Sequence, residues 1–367
     1  MNTEKLAYQI ALTLIPGIGS KLAKSLIAYC GGVEAVFEES KKSLQKIPGI
    51  GPGAIKNLST ASTMARAEKE LKFIEKNNIS ALFYLDEDYP PLLKSCGDSP
   101  ILLFKKGDFS FQGKNQIAIV GTRNATDYGK RFCASFIEDL KAYEVQVISG
   151  LAYGIDISAH KESVKNGIET IAVLGHGLDR IYPALHKKVV EKMLESGGGL
   201  LSEFLTETNP DRENFPKRNR IVAGISEAVI VVEAAKKGGA LITAEIANSY
   251  NRDVFAVPGK LSDTFSEGCN QLIKINKAAL LSGVSDLEYL LGWEKRKIQN
   301  AQRELFPNLN PLEERIKDLF VVAKRKLEVE EICIELDLPA SQIVPTLLTL
   351  EIKGLVKCNP GKIFELN

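Results

Sequence analysis

Hydrophobic residues recur at helical spacing through the first 76 residues, which predicts a small domain made of helices. The five residues IPGIG occur at 15–19 and again at 47–51, and apolar positions spaced as on amphipathic helices accompany each copy. An internal repeat of this kind indicates that one structural unit occurs twice. We therefore predict a helical domain over residues 1–76.

From residue 82 to about 291 the pattern changes, and short β-branched runs alternate with helical stretches. This alternation is typical of a mostly parallel sheet that is covered by helices on both faces. The clearest predicted strands are 117–120, 145–148, 170–174, 200–202, 228–232 and 254–257. We therefore predict an α/β fold, with a Rossmann-like, doubly wound, mostly parallel sheet over residues 77–292.

Residues 293–311 are rich in Lys, Arg, Gln and Asn and end in PNLNP, which predicts a linker. Beyond it, residues 312–367 show three helical patterns followed by two short strand patterns that are separated by a turn at 359–361. Three helices and a hairpin are typical of a winged-helix domain.

The charge balance limits what the surface can do. Lys and Arg total 47 and Asp and Glu total 46, so a site for a polyanion has to be a local patch. Apolar runs are interrupted by charges such as Glu227 and Glu233 before they reach membrane-spanning length, and no export signal precedes them. The six cysteines form no CxxC pair, and no metal site is expected. These features favour a cytoplasmic protein without a membrane segment.

Two basic loops in the central region predict a phosphate site. Gly121, Thr122 and Arg123 follow a buried strand, so Arg123 is expected to project beside exposed backbone amides. In the segment FPKRNR, the side chains of Lys217, Arg218 and Arg220 lie at the start of a predicted helix. Cations oppose the helix dipole there unless an anion is bound, which favours a phosphate ligand over a merely solvated charge run. Phe215 is a candidate for stacking on a base.

Glycines supply further candidate phosphate contacts through the backbone. The duplicated IPGIG resembles the helix-hairpin-helix motif, in which free amides at a helix start meet DNA phosphates without reading sequence. Its glycines are Gly17, Gly19, Gly49 and Gly51, and the run KKGGALITAEIA adds Gly238 and Gly239. The hairpins could equally serve only to pack a helical bundle or to bind a protein partner. The carboxyl-terminal domain has eight basic and ten acidic residues from 311 onwards. This charge balance favours contact with a protein over recognition of bases in a DNA groove.

Enzymatic interpretations find little support in the same loops. A Walker A loop fails because Asn124 occupies the first glycine position, and a dinucleotide fingerprint fails because Arg180 occupies the third. None of the three histidines lies near a nucleophile-elbow pattern, so no catalytic residue and no cofactor is assigned. The alternative hypothesis is a hydrolase of nucleoside monophosphates similar in outline to phosphoribohydrolases, for which Glu245 is the acidic candidate. A scaffold that binds no DNA is a third hypothesis.

Eight motifs in order show a family resemblance over about residues 86–281. They are GTRNATDYG, ISGLAYGIDISAH, TIAVLGHGLDRIYP, LLSEF, FPKRNRIVAGIS, VVEAAKKGGALITA, DVFAVPG and GCNQLI. This order resembles the DNA-processing protein A (DprA/Smf) family. The helical repeat, which would be a helix-hairpin-helix or SAM-like domain, and the winged helix agree with the longer members. Asn251 replaces a usual glycine and Gly238 a common serine, and neither change removes a charged group.

The resemblance implies a function as well as a fold. It implies binding of single-stranded DNA, dimerisation, and loading of the recombinase RecA onto strands covered by single-strand-binding protein, in the setting of natural transformation. The DNA-binding residues that it implies are Gly121, Thr122, Arg123, Lys217, Arg218, Asn219 and Arg220, with Ser149 and Gly150 lining the site. The dimer and RecA surfaces are expected near residues 257–291.

Overall fold

The computed structural model describes residues 3–57, 61–295, 309–323, 325–359 and 361–366. It divides into two compact units, Met1–Arg296 and Lys297–Asn367. Most of the predicted linker lies outside the described residues. Its first residue, Trp293, is buried and its ring packs near that of Tyr143, so the first unit continues through this position.

The amino-terminal region is helical, as predicted. Its helices are α1 (Thr3–Thr13), α2 (Ser20–Cys30), α3 (Val33–Glu38), α4 (Lys41–Leu44), α5 (Pro52–Asn57) and α6 (Ala61–Lys76). The two IPGIG copies form the same turn, because Gly17 and Gly49 have φ angles of +86° and +85°. Only glycine adopts this left-handed conformation without strain. Each turn then leads directly into a helix, α2 or α5.

The central region contains a nine-stranded mixed sheet. Its strands are β1 (Ser80–Phe83), β2 (Leu102–Lys106), β3 (Asn115–Val120), β4 (Val145–Ser149), β5 (Thr170–Leu174), β6 (Gly199–Ser202), β7 (Ala228–Val231), β8 (Asp253–Ala256) and β9 (Ala279–Leu280). The order across the sheet is β1-β2-β6-β5-β4-β3-β7-β8-β9, and all pairs are parallel except the two made by β2. The six predicted strands correspond to β3–β8, so the doubly wound fold is confirmed.

Helices cover both faces of this sheet. They are α7 (Pro91–Lys94), α8 (Asp127–Asp139), α9 (Ile155–Lys165), α10 (Lys187–Glu195), α11 (Asn214–Ile225), α12 (Gly239–Ser249), α13 (Glu267–Lys274) and α14 (Val284–Leu291). Successive side chains of β3 point to opposite faces, so Ile117 and Ile119 join the core beneath α8, and Ala118 and Val120 join the core beneath α11. Burial on both faces explains why the central strands are almost continuously apolar.

The helical region packs onto the sheet region within the same unit. The Arg66 guanidinium donates to the Thr206 carbonyl at 2.7 Å, and the Thr206 amide donates to the buried Glu70 carboxylate at 3.0 Å. One hydrophobic core also contains residues of both regions, among them Ile74 and Phe104. The helical region is therefore fixed to the sheet by side chains of α6.

The second unit has the predicted winged-helix architecture. It comprises α15 (Pro311–Ala323), β10 (Leu327–Glu328), α16 (Val329–Leu336), α17 (Ala340–Ile352), β11 (Val356–Asn359) and β12 (Ile363–Leu366), with the strand order β10-β12-β11. The described part of the chain contains no helix whose length and apolar content would let it cross a bilayer.

Candidate nucleic-acid interface

The candidate site lies where the direction of winding changes in the sheet. Strand β3 has β4 on one side and β7 on the other, so the chain segments that leave β3 and β7 diverge at their carboxyl ends. In open α/β sheets this divergence creates a crevice that binds ligands. A cavity of about 250 Å³ occupies it, and its walls include Gly121, Thr122, Arg123, Asp156, Phe215, Arg218, Asn219, Lys237, Gly238 and Gly239. We call it the switch-point cavity.

The loop after β3 is held in place by Glu233, which is fully buried just beyond β7. The Glu233 carboxylate accepts hydrogen bonds from the amide and the hydroxyl of Thr126, at 2.9 and 2.5 Å. Its main-chain carbonyl accepts the amide of Thr122 at 2.7 Å. Thr126 in turn caps α8 by accepting the amides of Tyr128 and Gly129. One buried carboxylate therefore fixes the path of residues 121–126.

Glycine is required where the next loop approaches this one. Gly154 has a φ angle of +79°, and a Cβ atom there would overlap the Thr122 carbonyl oxygen. A Cβ atom at Gly150 would overlap the guanidinium group of Arg218. These two glycines let the loop after β4 lie directly against the loop after β3 and the side chain of Arg218.

Arg218 forms the floor of the switch-point cavity. Its side chain is buried, and its guanidinium donates to the carbonyls of Gly150 and Val173, both at 2.5 Å. Burial lowers the pKa of Arg218, and the nearby Asp156 carboxylate opposes that shift. Burial likewise raises the pKa of Asp156, against the influence of Arg218. Arginine keeps its charge in proteins, so a positive group remains beneath the cavity.

Arg123 is exposed at the mouth of the cavity, and its guanidinium lies 5.3 Å from the ring centre of Phe215. No carboxylate of the described residues lies within salt-bridge distance of it. Tyr153 and Tyr182 are half exposed and line an adjoining cleft with Arg123 and Phe215. Sequence reasoning missed both tyrosines, although GLAYG and DRIYP contain exposed aromatics in loops after predicted strands.

Helix α12 begins at the opposite wall. Its amino-terminal cap, Gly238, provides no side-chain hydrogen bond, and the Lys237 side chain lines the same wall. Free amides and a lysine at a helix start favour an anion. The Asn219 side chain reaches this wall, where its side-chain amide nitrogen donates to the Gly239 carbonyl at 3.4 Å.

Not all of the predicted residues meet here. Ser149 is fully buried, and its hydroxyl donates to the Ile119 carbonyl at 2.6 Å, so it supports the site from below and does not line it. Lys217 and Arg220 point away from the switch-point cavity into a second cavity, because α11 turns successive side chains by about 100°. The basic residues that were predicted for one phosphate site are therefore divided between two cavities, with Arg123 and Arg218 in the first and Lys217 and Arg220 in the second.

The glycines of the two IPGIG copies also lie in different surroundings. Gly19 lines the second cavity together with Lys217 and Arg220. The remaining repeat glycines, Gly17, Gly49 and Gly51, are exposed and line neither cavity.

The residues considered for catalysis lie elsewhere. The Glu245 carboxylate pairs with Lys277 at 2.6 Å and does not line the switch-point cavity, so the hydrolase hypothesis loses its acidic residue there. Burial lowers the pKa of His160 to about 3, which keeps this ring neutral at physiological pH. Its Nδ1 atom lies 2.7 Å from the Thr170 hydroxyl inside the core, and His160 does not line the switch-point cavity. Within the described ranges no group of three His, Cys, Asp or Glu side chains could hold a metal ion.

Comparison with known proteins agrees with this architecture. Residues 80–291 match the family model of DNA recombination-mediator protein A, residues 10–59 match a SAM-like helix-hairpin-helix tandem, and residues 307–362 match the DprA winged-helix domain. Protein Smf of Synechocystis is 33% identical, over 99% of both chains. The DNA processing protein DprA of Streptococcus pneumoniae is 40% identical, over 54% of this chain and 70% of that one.

Solved structures show the same likeness. The crystal structure of Streptococcus pneumoniae DprA matches with a TM-score of 0.65 and 32% identity, over 80% of this chain and 98% of that chain. A structure of Helicobacter pylori DprA, described as showing a unique single-stranded DNA binding mode, matches with a TM-score of 0.52 and 28% identity, over 59% and 97%. The ordered motifs, the doubly wound sheet and the two flanking domains together show that the chain belongs to the DprA/Smf family of DNA recombination-mediator proteins.

Proposed function

We propose that this protein binds single-stranded DNA at the switch-point cavity and acts as a recombination mediator, without a catalytic step. The observation that carries the proposal is the pairing of Arg123 with Phe215. An exposed cation that has no carboxylate partner among the described residues lies beside an aromatic ring, over a buried second cation, Arg218. This combination suits a phosphate next to an unstacked base.

The chemistry of the cavity favours single strands over duplexes. Arg123, Lys237 and the amides of Gly238 and Gly239 would hold phosphates, and these contacts read no sequence. Phe215, Tyr153 and Tyr182 would stack on bases, which requires bases that are not already stacked in a duplex. Affinity should therefore depend strongly on salt and weakly on sequence.

Two relatives support a wider setting for this activity. The Helicobacter pylori relative is described as binding single-stranded DNA, and the Streptococcus pneumoniae relative as a DNA processing protein. We propose that this chain acts in the cytoplasm, where it loads RecA onto strands covered by single-strand-binding protein during natural transformation. The protein would then need contacts with RecA as well as with DNA.

One experiment with two readouts tests this function. The wild-type protein should retain a labelled oligo-dT in a mobility shift, prefer it to duplex DNA, and speed the assembly of RecA on DNA covered by single-strand-binding protein. Arg123→Ala should weaken binding by about fivefold at 0.1 M salt for one lost phosphate contact. It should slow RecA loading in proportion.

The matched control is Arg131→Ala, because Arg131 is exposed on α8 and lines neither cavity. Equal oligonucleotide affinity of Arg123→Ala, Arg131→Ala and wild type would contradict the assignment of DNA to this cavity. DNA binding without any effect on RecA assembly would contradict the mediator role.

We also propose that the chain self-associates through the β9 edge of the sheet. Among the described residues strand β9 pairs only with β8, and exposed apolar side chains occur near it in the sequence, within residues 257–291. They are Leu261, Ile275, Leu280, Tyr289 and Leu290, with exposed fractions of 46–95%. An uncovered strand edge with apolar neighbours is typical of an interface.

Leu280→Arg is expected to shift the protein from dimer to monomer in analytical ultracentrifugation, because a desolvated charge would face its own copy across the interface. Val322→Arg is a suitable control, since Val322 is 79% exposed in the winged-helix unit. A dimer of unchanged stability in Leu280→Arg would place the interface elsewhere.

A further inference from the structure

A second cavity, of about 710 Å³, lies between the first IPGIG turn and the sheet. We propose that it holds phosphates of the same DNA strand, so that the first helical hairpin takes part in binding. This inference rests on the proposed function of the switch-point cavity and extends the path of the strand beyond it. The wall on the helical side includes Gly19, Ser20 and Lys21, and the wall on the sheet side includes Phe204, Lys217 and Arg220. We call it the hairpin cavity.

The charges of the hairpin cavity leave two lysines available for an anion. Arg220 forms an ion pair with Glu203 and also donates to the Asp98 carbonyl at 2.7 Å. The Asp98 carboxylate accepts the hydroxyl of Tyr250 at 2.5 Å. Lys21 and Lys217 are both exposed, and within the described ranges no carboxylate lies at salt-bridge distance from either. The rim is therefore positive, while each acidic group already has at least one other partner.

The floor of the hairpin cavity helps to locate the anion. One carboxylate oxygen of Glu203 is buried and makes no hydrogen bond. A phosphate oxygen placed against it would be repelled, so the phosphate belongs at the rim between Lys21 and Lys217. The half-buried ring of Phe204, in the same wall, offers a surface for a neighbouring base.

Helix α11 connects the two cavities. Phe215, Arg218 and Asn219 line the switch-point cavity, whereas Lys217 and Arg220 line the hairpin cavity. All five belong to the first two turns of one helix, so the two cavities lie on different sides of its amino-terminal end. A continuous single strand can thus occupy both cavities by crossing the start of α11.

Among the described residues of the two IPGIG turns, only those of the first copy line the hairpin cavity. Gly17 and Gly49 adopt the same left-handed backbone, yet residues 47–51 of the second copy contribute nothing to either cavity wall. The sequence repeat is therefore symmetric, but the predicted role in DNA binding belongs to one copy. Lys21 lies in the first turn of α2, and its replacement tests the role of this copy in DNA binding.

The test compares Lys21→Ala with wild type on oligo-dT of increasing length, from about 6 to about 30 nucleotides, by fluorescence anisotropy. Oligonucleotides that fill only the switch-point cavity should bind both proteins equally. Longer ones should bind Lys21→Ala about fivefold more weakly at 0.1 M salt, with the salt slope reduced by about 0.7 for one lost phosphate contact. The control is Lys42→Ala, which removes an exposed lysine of the same helical region outside both cavities.

Two outcomes separate the two proposals. If Arg123→Ala weakens binding but Lys21→Ala matches Lys42→Ala at every length, the hairpin cavity is not on the DNA path and this inference is overturned. If Arg123→Ala binds as tightly as wild type, the proposed function itself fails. Thermal unfolding of each variant confirms that the exposed lysines can be removed without loss of the fold.

Discussion

Replacing Arg218 with alanine is expected to lower the free energy of unfolding by about 3 to 5 kcal/mol and to abolish tight binding of single-stranded DNA. The buried guanidinium ties the carbonyl of Gly150, after β4, to that of Val173, near the end of β5. Its removal leaves both carbonyls without these hydrogen bonds and leaves the buried Asp156 carboxylate without its main compensating charge. Urea unfolding and oligo-dT binding, measured on the same preparation, give the two effects.

Lys217→Ala is the matched control for stability. Lys217 is the exposed neighbour on the same helix, so its replacement should change the free energy of unfolding by less than about 0.5 kcal/mol.

Adding Asp156→Asn should restore part of the stability of Arg218→Ala, because it removes the buried charge that has lost its partner. A pH series supplies a further check. Burial raises the pKa of Asp156, so this carboxyl group is protonated more readily in the folded state. The stability that Arg218→Ala loses relative to wild type should therefore grow as the pH rises and Asp156 becomes charged. If Arg218→Ala is as stable as Lys217→Ala, Arg218 does not hold together the chain segments at the ends of β4 and β5.

The second large effect is expected for Glu233→Ala, at about 3 kcal/mol of unfolding free energy. The substitution removes the acceptor for the amide and hydroxyl of Thr126 in a fully buried place. The loop that carries Arg123 would then lose its fixed path, so DNA affinity should fall although Glu233 touches no DNA. Melting temperature and oligo-dT affinity are the measurements.

Glu233→Gln distinguishes positioning from bulk stability. The amide keeps one oxygen for Thr126 and the same shape, so it should recover more of the DNA affinity than alanine does. The control is Glu267→Ala, since Glu267 is a half-exposed carboxylate in a long ion pair of 3.7 Å with Lys236. Unchanged DNA affinity in a folded Glu233→Ala protein would contradict the positioning role.

The central sheet could be predicted from the sequence because β3–β8 are buried on both faces and are therefore almost continuously apolar. The edge strands β1 and β9, and the strand β2 beside β1, were not among the clearest predicted strands, since β1 and β9 are short and β2 ends in two lysines. The glycine loops were predicted at the correct edge of the sheet, because parallel strands bring their carboxyl ends together.

The directions in which the side chains of the site point could be predicted less well from the sequence than the sheet could. The FPKRNR run predicts a cluster of positive charge, but only the rotation of α11 shows that Arg218 and Lys217 enter different cavities. Glu233 was interpreted from the sequence only as a charge that interrupts an apolar run. Its role depends on Thr126, which is 107 residues away in the chain, and no local pattern reports such a contact.

The anchoring of the loop after β3 by Glu233 has a thermodynamic consequence for association. The backbone of residues 121–126 is already ordered in the free protein, so its conformational entropy is lost during folding and not again when DNA arrives. The ordering cost of complex formation then falls on the nucleic acid, whose flexible backbone must adopt one path. Secondary structure or bound proteins on the incoming strand, more than any rearrangement of this loop, would consequently add to the free-energy cost of forming the complex.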